Sequence, residues 1–229
     1  MELSREDLHF VVSRLPKDIK ALMKDRGVIL GGGFIRATIA GEKPSDIDLF
    51  GKSKDQLEAA ARALKDSRHG CRFHESKNAY TVLSSSRMPV QFIHRWVFER
   101  PRDCMDSFDF TVAQAVIWHD GVIWLSACHE AFYRDLAARR LTYCAPIRNE
   151  DAGGSLLRVR KFLKRGYNTQ SPSLAAVLAR LCAAVEWGKI ENEKDSARVL
   201  CDLLREVDPL VAIDGLALVD EHEVVEGAV

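Results

Sequence analysis

With 229 residues, 47% of them hydrophobic and 29% charged, the chain is long enough to bury a substantial core, and its composition excludes a disordered or fibrous protein. Its 33 basic residues balance 33 acidic ones. Zero net charge argues against a long groove that grips nucleic acid through its phosphates, so any such contact is expected to be local.

The first residues, Met1 to Asp7, are acidic and lack an apolar core, unlike a secretory or transit segment. No membrane association is expected, because apolar runs such as Thr111 to Ile117 are far too short to span a bilayer. Six scattered cysteines form no CxxC pair and read as free thiols of a reducing, cytoplasmic setting. The seven histidines show no ligand spacing that would suggest zinc.

In chain order, residues 4 to 25 are predicted helical, opened by a Ser4–Asp7 cap and broken or restarted at Pro16. A short strand, Val28 to Leu30, runs into Gly31-Gly32-Gly33. A helix from Phe34 to Ala40 ends at Gly41, and Asp46 to Phe50 alternates as a half-buried strand does. Lys54 to Lys65 is an amphipathic helix. Strand-like runs follow at 71–74, 79–83 and 90–94. The strands Thr111 to Trp118 and Val122 to Leu125 flank an Asp120-Gly121 hairpin turn, across which Trp118 and Trp124 are expected to pair. Glu130 to Arg140 is helical. The chain then reads as all-helical, over 156–165, 173–187 and 195–207, with a joint at 166–173 and a fraying acidic end at 220–229.

One constellation carries chemistry. Asp46 and Asp48 stand two apart on a strand, so their carboxylates point to one face while Ile47 and Leu49 turn inward. Hard Mg²⁺ (or Mn²⁺) takes oxygen ligands of this kind, and metal ions held so can serve an attacking hydroxyl and a departing pyrophosphate. Upstream, Gly32 and Gly33 allow a phosphate to approach the backbone closely, at the start of a helix that carries Arg36.

Gly32-Gly33-Phe34-Ile35-Arg36, Gly41 and Pro44-Ser45-Asp46-Ile47-Asp48-Leu49 resemble the head-domain signature of the polymerase β superfamily. The similarity is closest to the bacterial (class II) CCA-adding enzymes and poly(A) polymerases. Asp109-Phe110-Thr111-Val112 resembles the block that seats the nucleotide ribose there. Phe132 to Leu136 and Leu157 to Phe162 resemble the downstream stretch. The resemblance implies an α+β fold, with a mixed sheet flanked by helices in a head over 1–148 and a small helical region over 149–229. It implies a Mg²⁺-dependent nucleotidyltransferase that moves a nucleoside monophosphate from an NTP, ATP or CTP, to an acceptor hydroxyl such as an RNA 3′ end. Asp46 and Asp48 would be the catalytic and metal-holding acids. Gly32, Gly33, Arg36, Asp109 and Arg158 would bind the nucleotide.

Departures from the pattern are specific. Ala37 replaces the acid after the arginine, Ser107-Phe108 replace the paired arginines, and Ala113 stands where asparagine is usual. Gln91 occupies the place of a third carboxylate, and Glu150-Asp151 begin a base-reading element that lacks its arginine. The stretch after Arg165 is too short for a tRNA-holding body. These losses keep open a second reading, a catalytically degenerate fold that binds nucleotide or a protein partner. The basic residues Arg158, Arg160, Lys161, Lys164 and Arg165 form a local patch for RNA or tRNA backbone, with Arg158, Lys161 and Arg165 on one helix face. Apolar stripes on the last two helices suit core packing or a homodimer face. His94 lies near the expected site, and His119-Asp120 reads as a hairpin tip.

Overall fold

The computed structural model describes residues 1–145 and 152–205. Its centre is a seven-stranded mixed sheet in the order β3-β4-β5-β2-β1-β6-β7. The strands are β1 (Ile29–Gly31), β2 (Ile47–Phe50), β3 (Arg72–Glu75), β4 (Ala79–Ser84), β5 (Arg87–Ile93), β6 (Ala115–His119) and β7 (Trp124–Cys128). β2 runs parallel to β5, and the other neighbours are antiparallel.

Alternation along the strands divides the core. Leu30, Ile47, Leu49, Val90, Phe92 and Ile117 join a large cluster beneath α1 (Arg5–Arg14), α2 (Lys17–Arg26), α3 (Gly33–Ile39) and α4 (Lys54–Ser67). Ile29, Phe50, Val116 and Ala127 turn to the other face and pack with Cys104 and Met105 of α5 (Pro101–Asp106). Asp48 shares the parity of Phe50, which directs it to this second face.

Pro16 restarts the first helical stretch, so 4–25 forms two helices. Ser4 caps the first, its hydroxyl oxygen accepting from the Asp7 N–H at 3.1 Å. Asp46, the first residue of the expected strand, lies just before β2, which begins at Ile47. The strand expected from Thr111 begins only at Ala115. Residues 111–113 form a turn because Gln114 donates its N–H to the carbonyls of Phe110 and Thr111. The hairpin partner likewise shifts to Trp124–Cys128. That register sets Trp118 opposite Leu125 and Trp124 opposite His119, so the expected tryptophan pair does not form. Asp120 accepts from the N–H groups of Val122 and Ile123, which makes the His119-Asp120 segment a structural hairpin tip.

Downstream lie α6 (Phe132–Ala137), β8 (Arg140–Leu141), α7 (Ala152–Lys164), β9 (Asn168–Thr169), α8 (Ser171–Ala183) and α9 (Glu193–Arg205). The region is not all-helical. β9 pairs in parallel with β8, stitching the later chain to the earlier part. Val159, Phe162, Tyr167 and Val177 enter the large core cluster. Gly153 lets α7 and α9 close together, since a Cβ there would stand 2.5 Å from the Leu203 carbonyl oxygen. The boundary at 148, the Glu150-Asp151 pair and the 220–229 end lie outside the described residues.

A partly buried ion cluster ties α2 to the end of α4 and the start of β5. Arg68 donates to both Asp18 oxygens, at 2.8 and 3.2 Å, and Arg87 reaches Asp18 at 3.1 Å. Burial alone would raise the Asp18 pKa. The Arg68 hydrogen bond and charge, the Ile19 N–H and Arg87 outweigh it and hold the carboxyl below its ordinary value. A depressed folded pKa contributes stability above the unfolded pKa of about 4, and that stability is lost as pH falls through the folded value. Thermal unfolding measured from neutral pH down to about pH 2.5 should therefore show wild type losing more stability than Asp18→Asn below about pH 4. Parallel curves for the two proteins would refute this role.

Candidate active-site cleft

The glycine turn is shaped by backbone geometry. Gly32 has φ 67° and ψ −120°, a conformation that only glycine adopts without strain. Gly31 has no room for a Cβ, which would lie 2.9 Å from both the Phe50 and Phe108 rings. Gly33 is different, for a Cβ built there meets nothing within 4 Å. Gly32→Ala should cost about 1–3 kcal/mol in chemical denaturation. Gly33→Ala should leave stability at or slightly above wild type, because alanine favours a helix over glycine by about 1 kcal/mol. Equal effects of the two changes would contradict this geometry.

Beside this turn a cavity of about 230 Å³ brings the expected site residues together. Gly32, Gly33, Arg36, Asp46, Asp48, Asp109 and Arg158 all line it. The register explains the floor: Asp48 lies between Gly31 on β1 and Gln91 on β5. Gln91 thus occupies the strand position beside Asp48 and also lines the cavity, with Ser45 at the rim donating its hydroxyl to Asp46 at 3.1 Å.

One wall is cationic. α7 presents Arg158 and Lys161 to the cavity from one helical face, with Phe162 beside them, and Arg165 follows from the turn just past its end. Arg160 and Lys164 do not line it and are exposed, so the sequence-defined basic patch divides between cleft and outer surface. Arg36 is only 4% exposed. Its guanidinium lies 4.8 Å from the centre of the Phe162 ring and its Nε is 3.7 Å from Glu42. That buried Nε has no hydrogen-bond partner among the described residues. Burial lowers the pKa of Arg36, and Arg165 adds to this, while Tyr167, Glu42 and Asp46 work against it. An anion in the cleft would relieve the same electrostatic stress.

Asp109 is buried and already engaged, its Oδ2 accepting from Ser155 and from Arg158 Nε, each at 2.8 Å. It therefore ties the turn at 109–114 to α7, and the two walls meet at this pair. The turn is braced from behind. Thr111 donates to Asp135 at 2.8 Å, the Thr111 N–H bonds the Thr142 carbonyl, and Cys144 N–H bonds the Asp109 carbonyl.

The third wall is aromatic and was not foreseen. Phe50, Trp96 and Phe108 line the cavity. Lone aromatics in irregular segments carry no periodic signal, although the replacement of arginine by Phe108 marks the position. His94 does not line the cavity; its ring packs 4.6 Å from that of Tyr80.

The fold resembles that of the polymerase β-like nucleotidyltransferases, as seen in CCA-adding enzymes. Its solved neighbours include a Thermotoga maritima CCA-adding enzyme in complex with tRNA, 18% identical with a TM-score of 0.55, covering 85% of this chain and 53% of that one. Another is a CCA-adding enzyme in complex with ATP, 19% identical with a TM-score of 0.57, covering 92% and 51%. Residues 2–139 match the model of the Gabija anti-defense 2 family, and the chain belongs to that family. A protein of Bacillus phage SPbetaL7 described as Gabija anti-defense 2 is 23% identical over 181 residues. The match takes in 79% of this chain and 44% of that protein, so the chain spans less than half of its phage relative and about half of the enzymes.

Proposed function

We propose that the chain binds a nucleoside triphosphate with a divalent cation in this cleft and transfers the nucleoside monophosphate to an acceptor hydroxyl, releasing pyrophosphate. The observation that carries the reading is the convergence of Asp46, Asp48, the Gly32-Gly33 turn and the Arg36–Arg158 side of the cleft on one cavity. ATP or CTP is the donor and an RNA 3′ end, such as that of tRNA, the acceptor. The exposed Arg160 and Lys164 lie where an RNA backbone could follow the outer face of α7. The biological setting, by family, is action against the Gabija defence, in the cytoplasm of an infected cell. The head over 1–148 would supply the acids and the region after it the cationic wall.

The donor set fits Mg²⁺ (or Mn²⁺). Asp46 and Asp48 offer oxygen ligands from the sheet, with the Ser45 and Gln91 side chains beside them. The described residues contain no cluster of three or more histidine, cysteine or acidic groups suited to a metal. A cation completed by water and phosphate oxygens matches that set better than one caged by protein. When bound, it would supply Lewis-acid stabilisation of the transferring phosphoryl group. The protein's own groups orient the chain of phosphates. Gly33 leaves space at the turn, and Arg36, Lys161 and Arg165 offset the negative charge. Asp109 fixes Arg158 and approaches the ribose side of the cleft.

A second reading rests on Gln91, which places an amide beside Asp48 where an acid would strengthen cation binding. In that reading the cleft captures nucleotide without turnover. Four α-³²P-labelled NTPs, supplied with Mg²⁺ with and without total RNA, separate the two. Labelled RNA made by wild type and absent with the Asp46→Ala/Asp48→Ala protein supports transfer. Mg²⁺-dependent binding with no labelled product of any size supports capture, and binding indifferent to both metal and the acids refutes both.

A further inference from the structure

The aromatic wall offers a phosphate no charge, and one of its rings, Phe108, stands where the resemblance implies an arginine. Phe108 immediately precedes Asp109, and both line the cleft. The Phe108 ring lies 5.6 Å from that of Phe50 at 81°, edge to face, and Phe98 braces Phe50 from 6.1 Å. The edges of both rings close on Gly31, the position with no room for a Cβ. The platform is therefore held rigid by the same turn that shapes the phosphate end of the cavity. Trp96, half-buried, adds a third ring on the β5 side.

We infer that Phe108 and Trp96 form the nucleobase subsite and take purine nucleoside triphosphates by stacking. The inference rests on the triphosphate reading of the cleft and narrows its donor from ATP or CTP to the purine nucleotides. A π-face does not distinguish one base edge from another, so adenine and guanine are accepted alike. Purines gain over pyrimidines because they cover more of the ring surface. Along the wall formed by Phe50, Ile93, Trp96 and Phe108 the one side-chain hydrogen-bonding group is the Trp96 indole N–H, and a lone donor does not read a base edge. The rigid rings also lower the ordering cost of binding.

The test measures equilibrium binding of ATP, GTP, CTP, UTP and inorganic tripolyphosphate, in Mg²⁺, to wild type, Phe108→Ala, Phe108→Tyr and Trp96→Ala. Thermal unfolding of each variant checks the fold. ATP and GTP should bind within a few-fold of each other and more tightly than CTP or UTP. Phe108→Ala and Trp96→Ala should each weaken ATP about tenfold, the scale of one stacking contact. Tripolyphosphate affinity should stay unchanged and Phe108→Tyr should restore ATP binding. Equal binding of all four NTPs, or loss of tripolyphosphate in parallel with ATP, overturns the stacking subsite. Normal tripolyphosphate binding with ATP affinity indifferent to both rings overturns it alone and leaves the triphosphate reading standing. If no probe binds, tripolyphosphate included, both readings fall.

Discussion

Asp48→Ala should reduce nucleotidyl transfer by about 10³-fold or more while leaving the fold intact. The size follows from the several kcal/mol that a correctly held cation contributes to charge stabilisation in phosphoryl chemistry, at about 1.4 kcal/mol per decade of rate. The fold should survive because β2 is anchored by Ile47 and Leu49, both fully buried on the opposite face. Asp48 itself is only half-buried on the cleft side. Asp46→Ala should behave alike, and the double variant should be little worse than the more damaging single one, since the acids act as a unit. Gln91→Asp supplies the converse experiment. It sets a carboxylate beside Asp48 in the parallel β2–β5 register, so divalent-cation affinity should rise. Initial rates of label transfer across a Mg²⁺ titration compare the four variants with wild type. Wild-type rates from a folded Asp48→Ala protein would remove the acids from the mechanism.

Asp135→Ala should be among the most damaging single changes to stability, about 3 kcal/mol by chemical denaturation. The carboxylate is fully buried and accepts from Thr111 at 2.8 Å and from Arg134 at 3.1 Å. Burial alone would raise its pKa, but the hydrogen bonds from Thr111, Thr142 and Arg134 and the Arg134 charge hold it below the ordinary value. Its removal leaves the buried Thr111 hydroxyl without this acceptor and opens a void behind the turn that carries Asp109. A loss below about 1 kcal/mol would mean that the turn is held by its backbone bonds alone. Nucleotide binding should weaken as well, which separates this change from an ordinary core truncation far from the cleft.

The core acids and the glycine turn were legible because their signals are local. A residue two positions away on extended chain shares a face, and this held for Asp46 although it lies just outside β2. The face of α7 was equally readable from its i, i+3 and i+4 spacing. Elements set by tertiary contact were not. α5 has only six residues, and its signal was Pro101 at the first helical position, with Cys104 and Met105 buried by the sheet rather than by any periodic stripe. The turn at 111–113 defeated a β-branched apolar pattern because Thr111 is claimed by Asp135, more than twenty residues away. Phe108 and Trp96 gave no pattern at all, since their meaning lies in what they face.

Gly153 gives α7 a fixed rotational phase. With the α9 backbone pressed against that position, the helix has little freedom to turn about its axis. Each residue of an α-helix advances the side-chain direction by about 100°. One residue inserted between Gly154 and Leu157 would therefore swing Arg158, Lys161 and Arg165 away from the cleft, carry Phe162 off Arg36, and break the Arg158–Asp109 pair, with no side chain in the cleft altered. Four inserted residues, slightly more than one full turn, would bring the same face nearly back into phase about 6 Å further along.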